Sequence, residues 1–380
     1  MMGTEILKSI QRPTLLVDLQ KARRNIAVMK AKADAQQVRL RPHFKTHQSA
    51  RIGELFRETG IEAITVSSVK MAEYFAQAGW RDILIAFPVN WREMDSINRL
   101  AAKYTLAVLV DDISSVEFLS QNVRHPLGVW VKIDTGLHRA GIWWEEKENI
   151  LALVRAIQNA PALRYRGILT HAGHTYQASS AVEVRERAEI SQQAMLAVKA
   201  YLVEHECPAG LVSIGDTPGC RLMDNFIGVD EIRPGNFVFF DLEQWHLGAC
   251  GDEEIAVALA CPVVSKNMAR HELVLYGGAI QFAKETLNMD GCPVYGLMIE
   301  FKDGTFGNIR TDCKLTKTTQ EHGILQVPEK IFDQYQIGDV VLVTPVHSCL
   351  MVQAMGEYVT IQNGEFISTM VQQVPIRRRS

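Results

Sequence analysis

The stretch RPHFKTHQSA, Arg41 to Ala50, places one lysine between two histidines where a short apolar run ends and a helix begins. It defines the repeating unit of the fold. A strand over 38–42 runs through this polar turn into a helical stretch over 51–59. The same strand–turn–helix order continues down the chain. Strand-type runs fall at 63–67, 83–87, 105–110, 128–133, 165–170, 211–214 and 231–233, making eight with the first. Amphipathic helical stretches lie between them, clearest at 69–78, 145–159 and 181–204. Ala78-Gly79 and Ala209-Gly210 read as helix stops, because glycine accepts the left-handed cap conformation. Strands alternating with helices imply parallel βα units. Eight units over about two hundred residues predict a (β/α)8 barrel of the TIM type.

The texture changes after about residue 246. Runs at 255–264, 272–275, 294–299, 324–327, 340–344, 358–361 and 366–370 read as strands separated by polar turns with Gly and Pro. Clear amphipathic helices are few, so an all-β domain is expected. The run 14–17 precedes the first barrel helix and is expected to join the β domain. The expected division is a barrel over 20–245 and a β domain over 246–380, joined by the N-terminal strand within 1–19.

The bulk numbers exclude several classes. A chain of 380 residues that is 47% hydrophobic buries a large core, and a net charge of -3 makes no electrostatic case for nucleic acid or an anionic membrane. No apolar run reaches the length of a membrane-spanning helix, and no signal peptide is visible. The seven cysteines are scattered, with no CxxC, which fits a reducing cytoplasm. Gly-rich dinucleotide and phosphate-loop motifs are absent.

Chemistry in such barrels sits at the C-terminal ends of the strands. Here those ends carry Arg41, His43, Lys45 and His47; Ser67-Ser68; Asp134, His138 and Arg139; His171, His174 and Tyr176; Gly215 to Gly219; and Arg233-Pro234-Gly235-Asn236. Each cluster alone is an ordinary polar loop, but together they predict a catalytic mouth. Gly215-Asp216-Thr217-Pro218-Gly219 reads equally as a plain strand–helix turn or as a phosphate cradle, in which backbone N–H groups and a helix N-terminus meet the anion. Asp216 is awkward in a cradle unless its carboxylate points away. A lysine and a phosphate site on one face suggest a pyridoxal phosphate Schiff base.

A second signal is His347-Ser348-Cys349, after the strand-type run ending near Val346. In an extended segment, residues two apart share a side, so imidazole and thiolate could hold one borderline cation, Zn2+ first. His205-Glu206-Cys207 has the same spacing but closes a helix, where His205 capping terminal carbonyls is the simpler reading. Cys220, Cys250, Cys261, Cys292 and Cys313 read as packing residues.

RPHFKTH at 41–47, KIDTGLHRAG at 132–141, LTHAGHTY at 169–176, SIGDTPG at 213–219, EIRPGNFVFFDLEQ at 231–244, QEHGIL at 320–325 and PVHSC at 345–349 resemble the D-serine dehydratase/D-threonine aldolase family. These are fold-type III pyridoxal phosphate enzymes related to alanine racemase. The resemblance implies an alanine-racemase-like barrel followed by a β domain, and a homodimer. It makes Lys45 the Schiff-base lysine and His171 the ring-packing histidine. Arg139 would lie near the cofactor's phenolic oxygen and Tyr176 beside the cofactor. Gly215, Thr217, Gly235 and Asn236 become phosphate contacts. It makes His347 and Cys349 the ligands of Zn2+, or of Mn2+ or Co2+. Cysteine at 349, where the aldolase branch carries aspartate, tilts the reading toward dehydration. Gln320-Glu321-His322 resembles a segment near the active site, reaching it from a partner subunit. Asp216 and Tyr276-Gly277-Gly278 depart from the family pattern.

The implied reaction is dehydration of a D-β-hydroxy amino acid such as D-serine, D-threonine or 3-hydroxy-D-aspartate to a 2-oxo acid and ammonia. Lys45, neutral through desolvation and nearby cations, would take the α-proton, and the metal would draw off the β-hydroxyl. Aldol cleavage to glycine and an aldehyde, racemisation, and a non-catalytic pyridoxal phosphate carrier are the rivals.

Overall fold

The computed structural model describes residues 2–208 and 210–372. The expected helix stop at Ala209 therefore lies outside the described residues, as does the end of the expected β domain. Two compact units are present. One consists of Val28–Lys45 and Phe56–Gly235, the other of the chain up to Ala27, Thr46–Leu55 and the chain from Asn236 onward.

The first unit is an eight-stranded parallel sheet. Its strands run in the order Arg39–Leu40, Glu231–Ile232, Leu211–Ile214, Leu163–Leu169, Leu127–Asp134, Thr105–Val110, Asp82–Pro88 and Ala63–Val66. A bridge from His43 to Thr65, with Phe44 N–H donating to Thr65 O at 2.8 Å, brings the last strand back to the first. The sheet is thereby a TIM-type barrel. Runs such as TLAVLV form strands because β-branched and apolar residues pack on a pleated surface buried on both faces. Leu84, Ala107, Leu109, Trp130 and Leu169 pack together as one buried cluster. Burying a leucine there contributes roughly 1.5–3 kcal/mol. The flanking helices start where an oxygen side chain caps them: Ser68 accepts from Met71 N–H, Asp112 from Ser115 N–H, and Ser180 from Glu183 N–H. Each such cap contributes about 1 kcal/mol. Ser68, expected at the catalytic mouth, thus works as a cap. Gly167 sits at φ +145, and a Cβ there would lie 1.9 Å from Leu211 O, so the close approach of two strands requires glycine.

The second unit holds a nine-stranded sheet. Thr14–Val17 pairs antiparallel with Val257–Asn267 and parallel with Glu357–Thr360, as expected of the N-terminal run. Glu272–Tyr276 pairs with both His322–Gln326 and Val257–Asn267, which closes six of the strands on themselves. The sequence reading missed the longest strand, Thr305–Thr318. Its buried residues Phe306, Ile309, Cys313 and Leu315 are spaced unevenly, because register shifts interrupt its pairing on both sides. Bulges destroy the period-two signal on which strand recognition rests. Two cysteines also depart from expectation: Cys292 is exposed and Cys250 half-buried.

Among the described residues no helix is long and apolar enough to cross a membrane.

Candidate functional site

Lys45 follows the last residue of the barrel's closing bridge. Its neighbour Phe44 is fully buried, with ring centroids of Phe56, Phe75 and Trp80 at 4.9, 4.9 and 5.0 Å. This aromatic cage fixes the backbone that carries the half-buried Lys45. The polar residues around it divide by role. The Arg41 guanidinium is buried in an ion pair with Glu231 at 2.6 Å and Asp82 at 2.8 Å, so it does not face a mouth. His47 is fully buried, and burial pushes its pKa down to about 3; it is a neutral core residue.

His171, at the end of Leu163–Leu169, has its Nδ1 2.6 Å from Gly215 O. A carbonyl only accepts, so Nδ1 carries the proton. Burial, Lys45, Lys132 and Arg139 together hold the His171 pKa well below the ordinary value, so the ring stays neutral. The Tyr176 ring lies 6.5 Å from it, and the Tyr176 hydroxyl accepts from Thr217 N–H at 3.3 Å. Thr217 Oγ1 in turn accepts from Gly235 N–H at 3.3 Å. At Gly215 a Cβ would lie 2.9 Å from Arg233 N, so only glycine fits. Arg139 is exposed, on the loop pinned by Asp134, whose Oδ1 accepts the N–H groups of Gly136, Leu137 and His138 at 3.0 to 3.1 Å.

Asp216 points away from the cradle. Its Oδ1 caps the helix Thr217–Leu222 by accepting from Gly219 N–H at 2.6 Å, and it also accepts from Thr175 Oγ1 at 2.9 Å. Burial pushes its pKa up to about 6.

Sequence reasoning missed Lys132. It is buried, donates to Ile133 O at 2.9 Å, and is pushed down to about 7 by burial and by Arg233. The signal was available: two residues after the core residue Trp130 on a strand, Lys132 points to the same face.

These residues fit pyridoxal phosphate. An amine and an unprotonated flat ring stand together for an aldehyde-bearing pyridine. The N–H groups of Thr217 and Gly235 and the hydroxyls of Tyr176 and Thr217 are linked to one another by long 3.3 Å bonds. They form the donor set a phosphate takes.

The other unit brings His347 and Cys349 together, but not as an extended pair. The strand Val340–Pro345 ends before them, His347 is the N-cap, and Cys349 lies in the first turn of the helix Ser348–Met355. Cys349 is buried, with Sγ donating to Thr46 Oγ1 at 3.2 Å and accepting from Asn236 Nδ2 at 3.9 Å. Two carboxylates that the sequence reading gave no role join them. The ligand atoms of Asp241, Glu243 and His347 lie within 4.8 Å of one another. Burial opposes charge on His347, yet Cys349, Glu243 and Asp241 hold its pKa well above the ordinary value. Imidazole, thiol and carboxylates form a donor set that fits a borderline divalent cation such as Zn2+. Asn236 turns its side-chain amide to Asp241 at 2.5 Å and Ser348 at 3.1 Å.

The rival pair does not form a ligand set. His205 Nδ1 bonds Tyr201 O at 2.9 Å, while Cys207 Sγ donates to Gln158 Oε1 at 3.7 Å.

Comparison with known proteins matches two family models. Residues 17–243 match the alanine racemase N-terminal domain, and residues 256–361 match a putative serine dehydratase domain. The D-threo-3-hydroxyaspartate dehydratase of a Delftia species is 30% identical over 91% of this chain and 92% of its own. Its solved structure superposes with a TM-score of 0.87, covering 96% of this chain and 98% of that one. The D-serine dehydratase of Dictyostelium discoideum is 28% identical over 94% of this chain and 95% of its own. A 3-hydroxy-D-aspartate aldolase of Paracoccus denitrificans is 27% identical over 94% of this chain and 90% of its own.

Proposed function

The chain belongs to the alanine-racemase-like, fold-type III pyridoxal phosphate lyases that carry a serine dehydratase domain, and from that premise we propose that it is a metal-dependent dehydratase of D-β-hydroxy amino acids. D-Serine, D-threonine and 3-hydroxy-D-aspartate are the candidate substrates, and a 2-oxo acid and ammonia are the products. The observation that carries the reading is the meeting of His347 with Cys349, both in the part of the chain that matches the dehydratase domain, and with the carboxylates of Asp241 and Glu243. One similar solved structure is a cysteine-to-alanine mutant of a D-threo-3-hydroxyaspartate dehydratase in the metal-free form.

Lys45, Arg139, His171, Tyr176, Gly215, Thr217, Gly235 and the main chain of Asn236 would hold pyridoxal phosphate; His347 and Cys349 would hold Zn2+, or Mn2+ or Co2+. When bound, the cofactor supplies an electron sink at Cα and the ion a Lewis acid at the β-hydroxyl. Lys45 Nζ takes the α-proton. Burial, Lys45, Lys132 and Arg139 oppose protonation of His171, which favours a neutral ring against the cofactor. Arg139 balances negative charge, and Tyr176, whose hydroxyl accepts from Thr217 N–H, lies beside the phosphate loop. Loss of the α-proton and the β-hydroxyl removes one water, and hydrolysis of the resulting enamine returns it, leaving 2-oxo acid and ammonia. The reading includes a homodimer, with the segment around Glu321 and His322 serving the partner's site, and a cytoplasmic location.

A second reading, aldol cleavage, has one specific support: Asp241 and Glu243 add carboxylates that could take the β-hydroxyl proton. A product assay separates the two. Protein loaded with pyridoxal phosphate and Zn2+ or Mn2+ is given D- and L-β-hydroxy amino acids. Oxo acid and ammonia from the D-substrates are expected; glycine and an aldehyde would move the chain to the aldolase reading.

A further inference from the structure

The two carboxylates beside His347 are not equivalent. Asp241 is fully buried and its oxygens are committed: Oδ2 accepts from Asn236 Nδ2 at 2.5 Å and Ser348 N–H at 2.8 Å, and Oδ1 accepts from Gln244 N–H at 3.2 Å as cap of the helix Leu242–His246. Glu243 is half-buried, its Oε2 3.2 Å from His347 Nδ1, against 3.6 Å for Asp241 Oδ2. The Glu243 backbone N–H also donates to Val346 O at 3.1 Å. The short helix therefore holds Val346 by its carbonyl and Ser348 by its N–H, and brings two carboxylates up to the buried His347 Nδ1, which makes no hydrogen bond of its own.

Cys349 Sγ does not belong to the group formed by Asp241, Glu243 and His347. His347 Nδ1 is the ring atom beside the carboxylates, so Nε2 is the nitrogen left for an ion shared with Cys349. We propose that Glu243 is the positioning carboxylate of His347: with the ion on Nε2, its Oε2 accepts a hydrogen bond from Nδ1–H, gives the orphaned Nδ1 a partner and keeps Nε2 turned to the ion. Asp241 holds the backbone beneath, through Ser348. A carboxylate behind a ligand histidine fixes its tautomer and raises its basicity. This inference rests on the metal reading of His347 and Cys349 given above.

The test measures Zn2+ dissociation constants by competition with a chromophoric chelator, on enzyme loaded with pyridoxal phosphate, together with the absorption spectrum of the Co2+-substituted protein. Glu243→Ala is expected to bind Zn2+ about 10- to 100-fold more weakly. Glu243→Gln, which keeps an acceptor for Nδ1–H, is expected to recover most of that loss. The Co2+ spectra of both variants should match wild type once saturated. Unchanged affinity in Glu243→Ala would overturn the proposal. A changed Co2+ spectrum in Glu243→Gln would also overturn it, making Glu243 a direct ligand, and this variant decides alone if the alanine protein fails to fold. His347→Ala and Cys349→Ala are measured alongside. If both kept wild-type Zn2+ affinity, the metal reading itself would fall, whatever Glu243 does.

Discussion

Two histidines, one in each unit, sit in opposite electrical surroundings. His171 is ringed by Lys45, Lys132 and Arg139 and stays neutral, its pKa held well below the ordinary value by burial and these cations. His347 faces Cys349, Glu243 and Asp241, which outweigh burial and hold its pKa well above. The side chain is the same, and the neighbours decide its charge. Each surrounding is the complement of a group of the opposite sign. A cation-lined pocket suits a phosphate and a substrate carboxylate; an anion-lined pocket suits a divalent cation. On the proposed division, the cation-lined region holds the cofactor and the anion-lined region the metal, and each should be open to disabling alone.

The largest effect should come from Lys45→Ala. Losing the amine proposed to take the α-proton should lower turnover by about 10^4-fold or more, on the scale of removing an essential catalytic group. The variant should still bind Zn2+ with wild-type affinity. If Lys45→Ala also lost its metal, the division of labour would be broken. Next comes Cys349→Ala. Metal content, read by elemental analysis, should fall to background, and turnover should drop by about 10^2- to 10^3-fold. The visible absorption of the bound cofactor should remain. Loss of that absorption along with the metal would show that the regions are not separable.

What the sequence made legible follows the same divide. The barrel rim was readable because parallel βα units force functional side chains to the strand ends, so Lys45, His171, Tyr176 and the 215–219 loop stand where the topology puts them. Lys132 was missed because it lies one turn of alternation inside the strand, among apolar neighbours. In the β unit, the pair His347 and Cys349 was visible, but its geometry was misjudged, since the chain leaves the strand at Pro345 and enters a helix at Ser348. Asp241 and Glu243 lie about a hundred residues away from it. Only the folded chain brings them to His347, and no spacing rule reaches that far.

A third histidine sharpens the comparison by separating burial from charge. His47 is buried without the ring of cations that surrounds His171, and burial alone pushes it down to about 3. In the unfolded chain it titrates near 6.5. The unfolded state therefore binds the extra proton, and the stabilising contribution is whole above pH 6.5 and lost as pH falls toward 3. Over that window the loss is on the order of 5 kcal/mol, or about 1.4 kcal/mol per pH unit. Thermal unfolding at pH 7.5, 6.5 and 5.5 should show a falling Tm, with a shallower fall in His47→Gln. Equal slopes would mean that burial does not set this charge.

The smallest effect tests a carboxylate embedded in the cation-rich rim. Asp216 has Arg233 nearby, which favours its ionised form, yet burial prevails and raises its pKa from 3.8 to about 6. The folded state binds the extra proton between these values. The group is therefore most favourable to folding below pH 4, and that contribution is lost as pH rises through 6, a cost of about 3 kcal/mol at neutral pH. Asp216→Asn keeps an oxygen to accept from Gly219 N–H and Thr175 and carries no charge. Its Tm should exceed wild type at pH 8 and equal it at pH 4. It should also hold pyridoxal phosphate at least as tightly, since a negative charge next to the cradle is removed while the N–H of Thr217 and the hydroxyl of Tyr176 are untouched. A Tm difference independent of pH would show that Asp216 acts only as a helix cap. Weaker cofactor binding would mean that its charge, not only its oxygen, orders the loop from Gly215 to Gly219.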